Sequence, residues 1–209
     1  MIKKAELEII VKWTVYLTIL ACVINCLISG DISLESVIKS ASYSLSISTL
    51  FWAFFLSTGW KFFPFKYLMY RPNLNGTWKG LMISDWTDEN GQTVPPKTMY
   101  VVVRQKFLSI NFTTHTETFI GNSYVETFLI DKERGTLKVV YLYMKDSTDH
   151  NLQPENQGVS ELRVIDSTPK KMEGIFFTII KSKGNLSLTH ISTKHINTYS
   201  DAEALSVQN

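Results

Sequence analysis

The chain has 209 residues, 44% of them hydrophobic, with 21 Lys/Arg against 19 Asp/Glu. The near-balance is uneven: residues 1–71 hold seven basic and four acidic side chains, whereas residues 72–209 hold fourteen and fifteen. The larger part therefore lacks the basic surface that tracks a phosphate backbone, and nucleic-acid polymers are not expected partners. Both cysteines, Cys22 and Cys26, precede residue 30, so neither a disulfide framework nor a thiolate zinc site is available to the rest of the chain.

The first predicted element is an apolar segment from Ile9 to Ile28, broken only by Lys12 and Asn25, and the second runs from about Ala41 to Phe63. A bilayer core of ~30 Å needs about 20 helical residues, so both are read as transmembrane helices joined by the polar stretch 29–40. Lys3, Lys4 and Lys12 flank the first span, and Lys61, Lys66 and Arg71 follow the second. The connection carries Asp31, Glu35 and a single Lys39. Excess Lys and Arg marks the cytoplasmic side, which places both termini in the cytoplasm. Length and a following second span do not fit a cleaved signal peptide.

The second span opens with Ser40, Ser42, Ser44, Ser46, Ser48 and Thr49. Ser40, Ser44 and Ser48 recur every four residues and share a helix face, where small hydroxyl side chains let helices approach and bond across the contact. Asn25 is a polar group at membrane depth that needs a partner. Such a face packs either the two helices of one hairpin or helices of separate copies. Phe51, Trp52, Phe54, Phe55, Trp60, Phe62, Phe63 and Phe65 thicken toward the cytoplasmic end, as expected of interfacial anchors.

From Arg71 the periodicity becomes two. Strands are predicted at about 76–86, 97–106, 108–116, 122–130, 136–144, 158–165, 172–181 and 185–195, with turn residues at 73–76, 89–91, 132–135 and 181–185. Eight short strands joined mainly by tight turns predict an up-and-down, lipocalin-like β-barrel, or else a sandwich. The expected division is a membrane hairpin over 1–71, a ligand-sensing barrel over 72–196 and a disordered tail over 197–209. Gly76-Thr77-Trp78 is similar to the Gly-x-Trp of lipocalin-type barrels, where the indole closes one end, so Trp78 is expected to be structural. Several strands are apolar on both faces, including Val139-Val140-Tyr141-Leu142-Tyr143-Met144 and Ile175–Ile180.

No catalytic set emerges. His115, His150, His190 and His195 do not form a metal-ligand pattern, since His190 and His195, five apart on a predicted strand, face opposite sides. Nucleophile-elbow, phosphate-loop and dinucleotide glycine motifs are absent, and no metal or cofactor is expected. A binding site remains. Arg104, Gln105, Thr114, His115, Tyr141, Tyr143, Thr178 and Lys181 (with Lys183 nearby) combine aromatic faces with donors suited to a base and its phosphate.

Two N-terminal spans, Leu74-Asn75-Gly76-Thr77-Trp78-Lys79-Gly80 and a β-only domain together resemble the two-transmembrane, β-barrel effectors of bacterial cyclic-oligonucleotide-based antiphage signalling (CBASS). Arg104-Gln105, Tyr141-x-Tyr143 and Gly174-Ile175-Phe176-Phe177-Thr178 followed by Gly184 and Leu186 extend the likeness over most of the chain. The resemblance implies a non-enzymatic effector in the bacterial inner membrane. Its cytoplasmic barrel binds a cyclic nucleotide made by a CD-NTase, the chain self-associates, and the spans disrupt the membrane. Two positions depart from that pattern: Ile180, beside Lys181, stands where an Arg is expected, and Asn156-Gln157 where a His is expected. The residues alone leave room for a membrane-tethered barrel binding a lipid or other apolar ligand, or for a non-catalytic adaptor.

Overall fold

The structure, a computed structural model, describes residues 4–30, 33–63, 65, 69, 71–87, 91–131, 133–147, 156–168, 170–179 and 182–207. The chain divides into two compact units. One comprises Met1–Asn73 with Lys106–Leu108, the other Leu74–Gln105 with Ser109–Asn209.

In the first unit, α1 (Lys4–Ser29) and α2 (Leu34–Ser57) pack along a polar seam. Asn25 Nδ2 donates to Ser40 Oγ at 2.6 Å, Thr18 and Ser48 hydroxyls meet at 3.1 Å, and Trp52 Nε1 donates to Thr14 Oγ1 at 2.7 Å. Ser40, Ser44 and Ser48, the four-residue comb, are buried in this chain. Ser42, Ser46 and Thr49 bond back one turn, to the Ile38, Ser42 and Leu45 carbonyls, which satisfies them without water. Among the described residues one helix, Leu7–Ser29, is long and apolar enough to cross a membrane. The serines of α2 lower its apolarity below that standard. The helix also ends at Ser57 rather than continuing to Phe63, because Gly59 begins a short 3-10 turn, Gly59–Lys61. Trp52, Phe55, Trp60, Met69 and Phe107 form an aromatic-rich core for this unit.

The second unit is a closed eight-stranded barrel of β1 (Gly76–Ser84), β2 (Lys97–Gln105), β3 (Ile110–His115), β4 (Phe119–Asp131), β5 (Thr136–Ser147), β6 (Asn156–Ile165), β7 (Lys171–Thr178) and β8 (Lys183–Ser192). Each strand pairs antiparallel with the next, and β1 closes on β8. Period-two patterning therefore yields a barrel rather than a sandwich. Closure matters physically, since it removes the open edges that an eight-stranded sheet would expose. β5 runs three residues beyond the predicted end, β4 begins three residues early, and β8 stops at Ser192, so His195 lies beyond the strand.

The interior is filled at one end. Leu74, Trp78, Val101, Val103, Val139, Leu162, Met172 and Leu188 are buried together. The Trp78 indole donates to the Leu74 carbonyl at 2.9 Å and meets the His190 ring edge-on at 5.0 Å. Gly76 is required there. Its φ is +124°, and a Cβ would lie 2.2 Å from the Ser192 carbonyl oxygen.

The tail expected to be disordered is ordered through Val207. After β8 the Lys194 carbonyl accepts from Thr77 Oγ1, His195 Nε2 lies 3.1 Å from the Val103 carbonyl, and Asn197 accepts from Arg104. The chain then forms α3 (Tyr199–Val207) against β1 and β2. Polar composition concealed this helix because only a narrow contact holds it: Ala202 is buried, Tyr199 packs on Tyr100, and Ser206 bonds the Tyr100 hydroxyl.

Candidate ligand-binding mouth of the barrel

Opposite the Trp78 end, the last residues of β1, β3, β5 and β7 and the first of β2, β4, β6 and β8 surround an open mouth of about 320 Å³, counting the space open to solvent. Alternation sends Tyr141, Tyr143 and Lys145 of β5 to the same inner face. Their register partners explain the space around them. Gly121 stands directly opposite Lys145, and Gly158 directly opposite Tyr143. A Cβ on Gly158 would lie 2.5 Å from the Tyr143 ring, so this glycine lets the ring lie against the backbone. Gly184 does the same for Phe176, its partner across β7 and β8.

The floor is aromatic. Tyr141 stacks on Phe112 with centroids 4.4 Å apart and planes 5° from parallel, and Tyr143 follows at 6.0 Å. Met99, Phe176 and Leu186 complete it, while Thr114 and Ser160 supply hydroxyls. At the rim, Phe119 is set by a tight β3–β4 turn in which Thr116 Oγ1 both accepts from the Phe119 N–H and donates to its carbonyl. The Lys145 ammonium sits 4.5 Å from the Phe119 centroid and 5.9 Å from that of Tyr143.

Electrostatics follow from this enclosure. Burial pushes Lys145 below the usual lysine range, and the neighbouring charge of Lys97 adds to the shift. Lys97 is directly opposite Met82, a lining residue, and so shares the inner face at the rim. Burial raises Tyr141 to about 12 despite a hydrogen bond with Ser160, and raises Tyr143 still further, with Tyr141 contributing. Both phenols are neutral donors at ordinary pH. The arrangement offers planar apolar faces, neutral hydroxyls and one poorly solvated cation, which suits a flat heterocycle joined to an anion.

The residues singled out from sequence divide into groups. Thr114, Tyr141 and Tyr143 come together in this cavity. Thr178 lies at the same end, but its hydroxyl is engaged with Ser182 at 2.7 Å in the β7–β8 turn. Lys181, with Ile180 and His150, lies outside the described residues. His115 is buried opposite Tyr100 on the outer side of the barrel; burial and then Arg104 lower its pKa. Arg104 and Gln105 lie at the other end. Arg104 bonds Asn197, and Gln105 accepts from the Leu74 N–H and exchanges backbone bonds with the Asn75 amide, a structural clasp. No group of acidic, His or Cys side chains suited to a metal ion occurs among the described residues.

Sequence reasoning missed Lys145, Phe119, Ser160 and Phe176. The available signal is the period-two continuation of Tyr141 and Tyr143 to Lys145, one residue beyond the predicted end of the strand.

A family model described as Cap15, cyclic dinucleotide receptor domain, matches residues 69–190. A protein of Escherichia albertii named CD-NTase-associated protein 15 is 26% identical over 149 residues, covering 69% of this chain and 73% of that protein.

Proposed function

The chain belongs to the family of the Cap15 cyclic dinucleotide receptor domain, and from that premise we propose that the open mouth of its barrel binds a cyclic dinucleotide made by a CD-NTase. The observation that carries the reading is Lys145, held among Phe119 and Tyr143 at the rim of an otherwise apolar cavity. A base stacks on the aromatic floor, Tyr141, Tyr143, Thr114 and Ser160 meet its polar edge, and Lys145 neutralises a phosphodiester oxygen. Stacking of this kind contributes ~1–3 kcal/mol per base.

The output lies in the membrane unit. In this proposal α2 crosses the bacterial inner membrane beside α1, with both termini cytoplasmic, and the chain carries no catalysis. Ligand binding favours self-association by population shift, the membrane is breached, and the infected cell stops growing. Because Ser40, Ser44 and Ser48 already face α1 within one chain, copies associate through the outward faces of the helices. Tyr16, Ile19, Leu20, Leu45 and Leu50 are exposed there and suit lipid or another copy.

The reading is tested in cells expressing this chain with or without a cyclic-dinucleotide synthase, following entry of a membrane-impermeant dye. Permeability should rise only with the synthase, and Lys145→Gln should suppress the rise. Equal permeability with and without the synthase would remove nucleotide gating.

A further inference from the structure

A cyclic dinucleotide presents two bases on one macrocycle, whereas the mouth offers one stacking floor. Most of the mouth is open to solvent, and its enclosed part, about 20 Å³, is far below the ~300–1,000 Å³ that encloses a drug-sized ligand. It cannot deepen, because the stacked pair Phe112–Tyr141 forms its base and Trp78, Val101, Val139, Leu162 and Leu188 fill the barrel beneath with no exposed surface. Its cations stand at the rim rather than the floor. Lys145 lies over Phe119, and Lys97 shares the inner face next to Met82. A macrocycle whose phosphates meet the rim can place one base on the floor, and its second base, on the far side of the ring, then points away from that barrel.

We propose that each barrel mouth reads one half of the ligand, and that a second copy of this chain receives the other half, so that one cyclic dinucleotide bridges two barrels. This deepens the assignment of the mouth as a cyclic-dinucleotide site and rests on it. The physical gain is mutual. The second base leaves water for an aromatic floor identical to the first, and two Lys97/Lys145 pairs face the two phosphodiesters from opposite sides. Neither copy buries the whole ligand alone, so the site is complete only in the pair. Recognition and pairing of the barrels become one binding event, to which association of the helices is coupled.

The experiment titrates full-length protein in detergent micelles with 3′,3′-cyclic di-AMP, cyclic di-GMP and cyclic di-UMP in turn, with cyclic AMP as a one-base control. Calorimetry gives the stoichiometry, and analytical ultracentrifugation gives the mass. For whichever dinucleotide binds, the expected result is one ligand per two chains and a doubling of protein mass. Cyclic AMP should bind, if at all, at one per chain with no doubling. A dinucleotide that saturates at one per chain overturns the bridge while leaving the mouth as the binding site. Binding unaffected by Gly121→Val, which places a side chain in the cavity opposite Lys145, or no binding by any of the three dinucleotides, overturns the reading of the mouth and the bridge with it.

Discussion

The ammonium of Lys145 and the ring of Phe119 lie 4.5 Å apart across the β4–β5 pair, each in a strand extension that carries it to the rim of the barrel. A cation over an aromatic face contributes ~0.5–2 kcal/mol depending on desolvation. The same enclosure withholds water from the ammonium, so an arriving phosphate finds a charge that little else competes for.

Loss of that charge should be felt in binding and not in folding. Lys145→Gln is expected to weaken cyclic-dinucleotide affinity by about tenfold to a hundredfold, the ~1.5–3 kcal/mol of a charge-assisted bond. The unfolding temperature should hardly change, because a poorly hydrated cation is removed. Calorimetric titration and thermal unfolding of the same preparation separate the two effects.

The same lysine makes affinity depend on pH. Its pKa in the free protein lies below 10.5 through burial and then Lys97, and an anion restores the charged form, so binding takes up a proton where the free ammonium has begun to lose one. Affinity should therefore fall as pH rises through that alkaline window, while the Lys145→Gln variant shows a flatter profile. Equal profiles would show that this ammonium does not contact the anion.

Gly121 and Gly158 predict opposite outcomes. A Cβ on Gly121 finds only ordinary contacts, the nearest at 3.6 Å on Thr114, so Gly121→Val should fold normally yet fill the cavity and abolish binding. A Cβ on Gly158 would press into the Tyr143 ring and the Phe177 carbonyl at 2.5–2.6 Å. Gly158→Ala should destabilise the barrel by ~1–3 kcal/mol, the cost of overpacking, visible as a lower unfolding temperature.

The buried phenols report on the same region spectroscopically. Tyr141 is pushed up to about 12 by burial, and Tyr143 is raised further. In the folded chain Tyr141 and Tyr143 should resist ionisation when ultraviolet absorbance is followed above pH 10. The stability they contribute is fully present below pH 10, where the phenols are neutral in both states. It diminishes as pH rises from 10 toward 12, since the unfolded chain releases protons that the native chain retains.

α3 offers a structural check. Ala202 is fully buried on its inner side, so Ala202→Glu should force the helix off β1 and β2 rather than bury an unpaired carboxylate. Hydrogen exchange should then increase in Tyr199–Val207 and on the outer side of β2, with the strand ladder of the remaining barrel kept.

Much of this molecule was legible in order along the chain. Alternation gives the eight strands and a lipocalin-type Gly-x-Trp marks Trp78 as structural, and the structure gathers the candidates Thr114, Tyr141 and Tyr143 at one mouth. Arg104 and Gln105 lie at the other end, a separation the sequence hides because donors on a strand look alike in it. Which end of a barrel a strand residue occupies depends on the direction of its strand and on register with its neighbours. His115 is parted from the mouth for a related reason: it sits one residue from Thr114 and therefore faces the opposite side. The ordered α3 escaped notice because one small buried residue and one ring contact leave almost no periodic trace.

By itself, the sequence determined an apolar N-terminal part, a strand-rich remainder, and a likeness to the family to which the chain belongs. The first two follow from composition and periodicity, which every residue carries locally, and the likeness from short motifs spread along the chain. Only the tertiary structure decided that the sheet closes on itself, that the serine face of α2 is engaged with α1, and that Lys145, Phe119 and Tyr143 meet at one rim. Those outcomes depend on pairing between residues far apart in sequence, where a shift of a single residue would turn Lys145 from the cavity to the outside of the barrel.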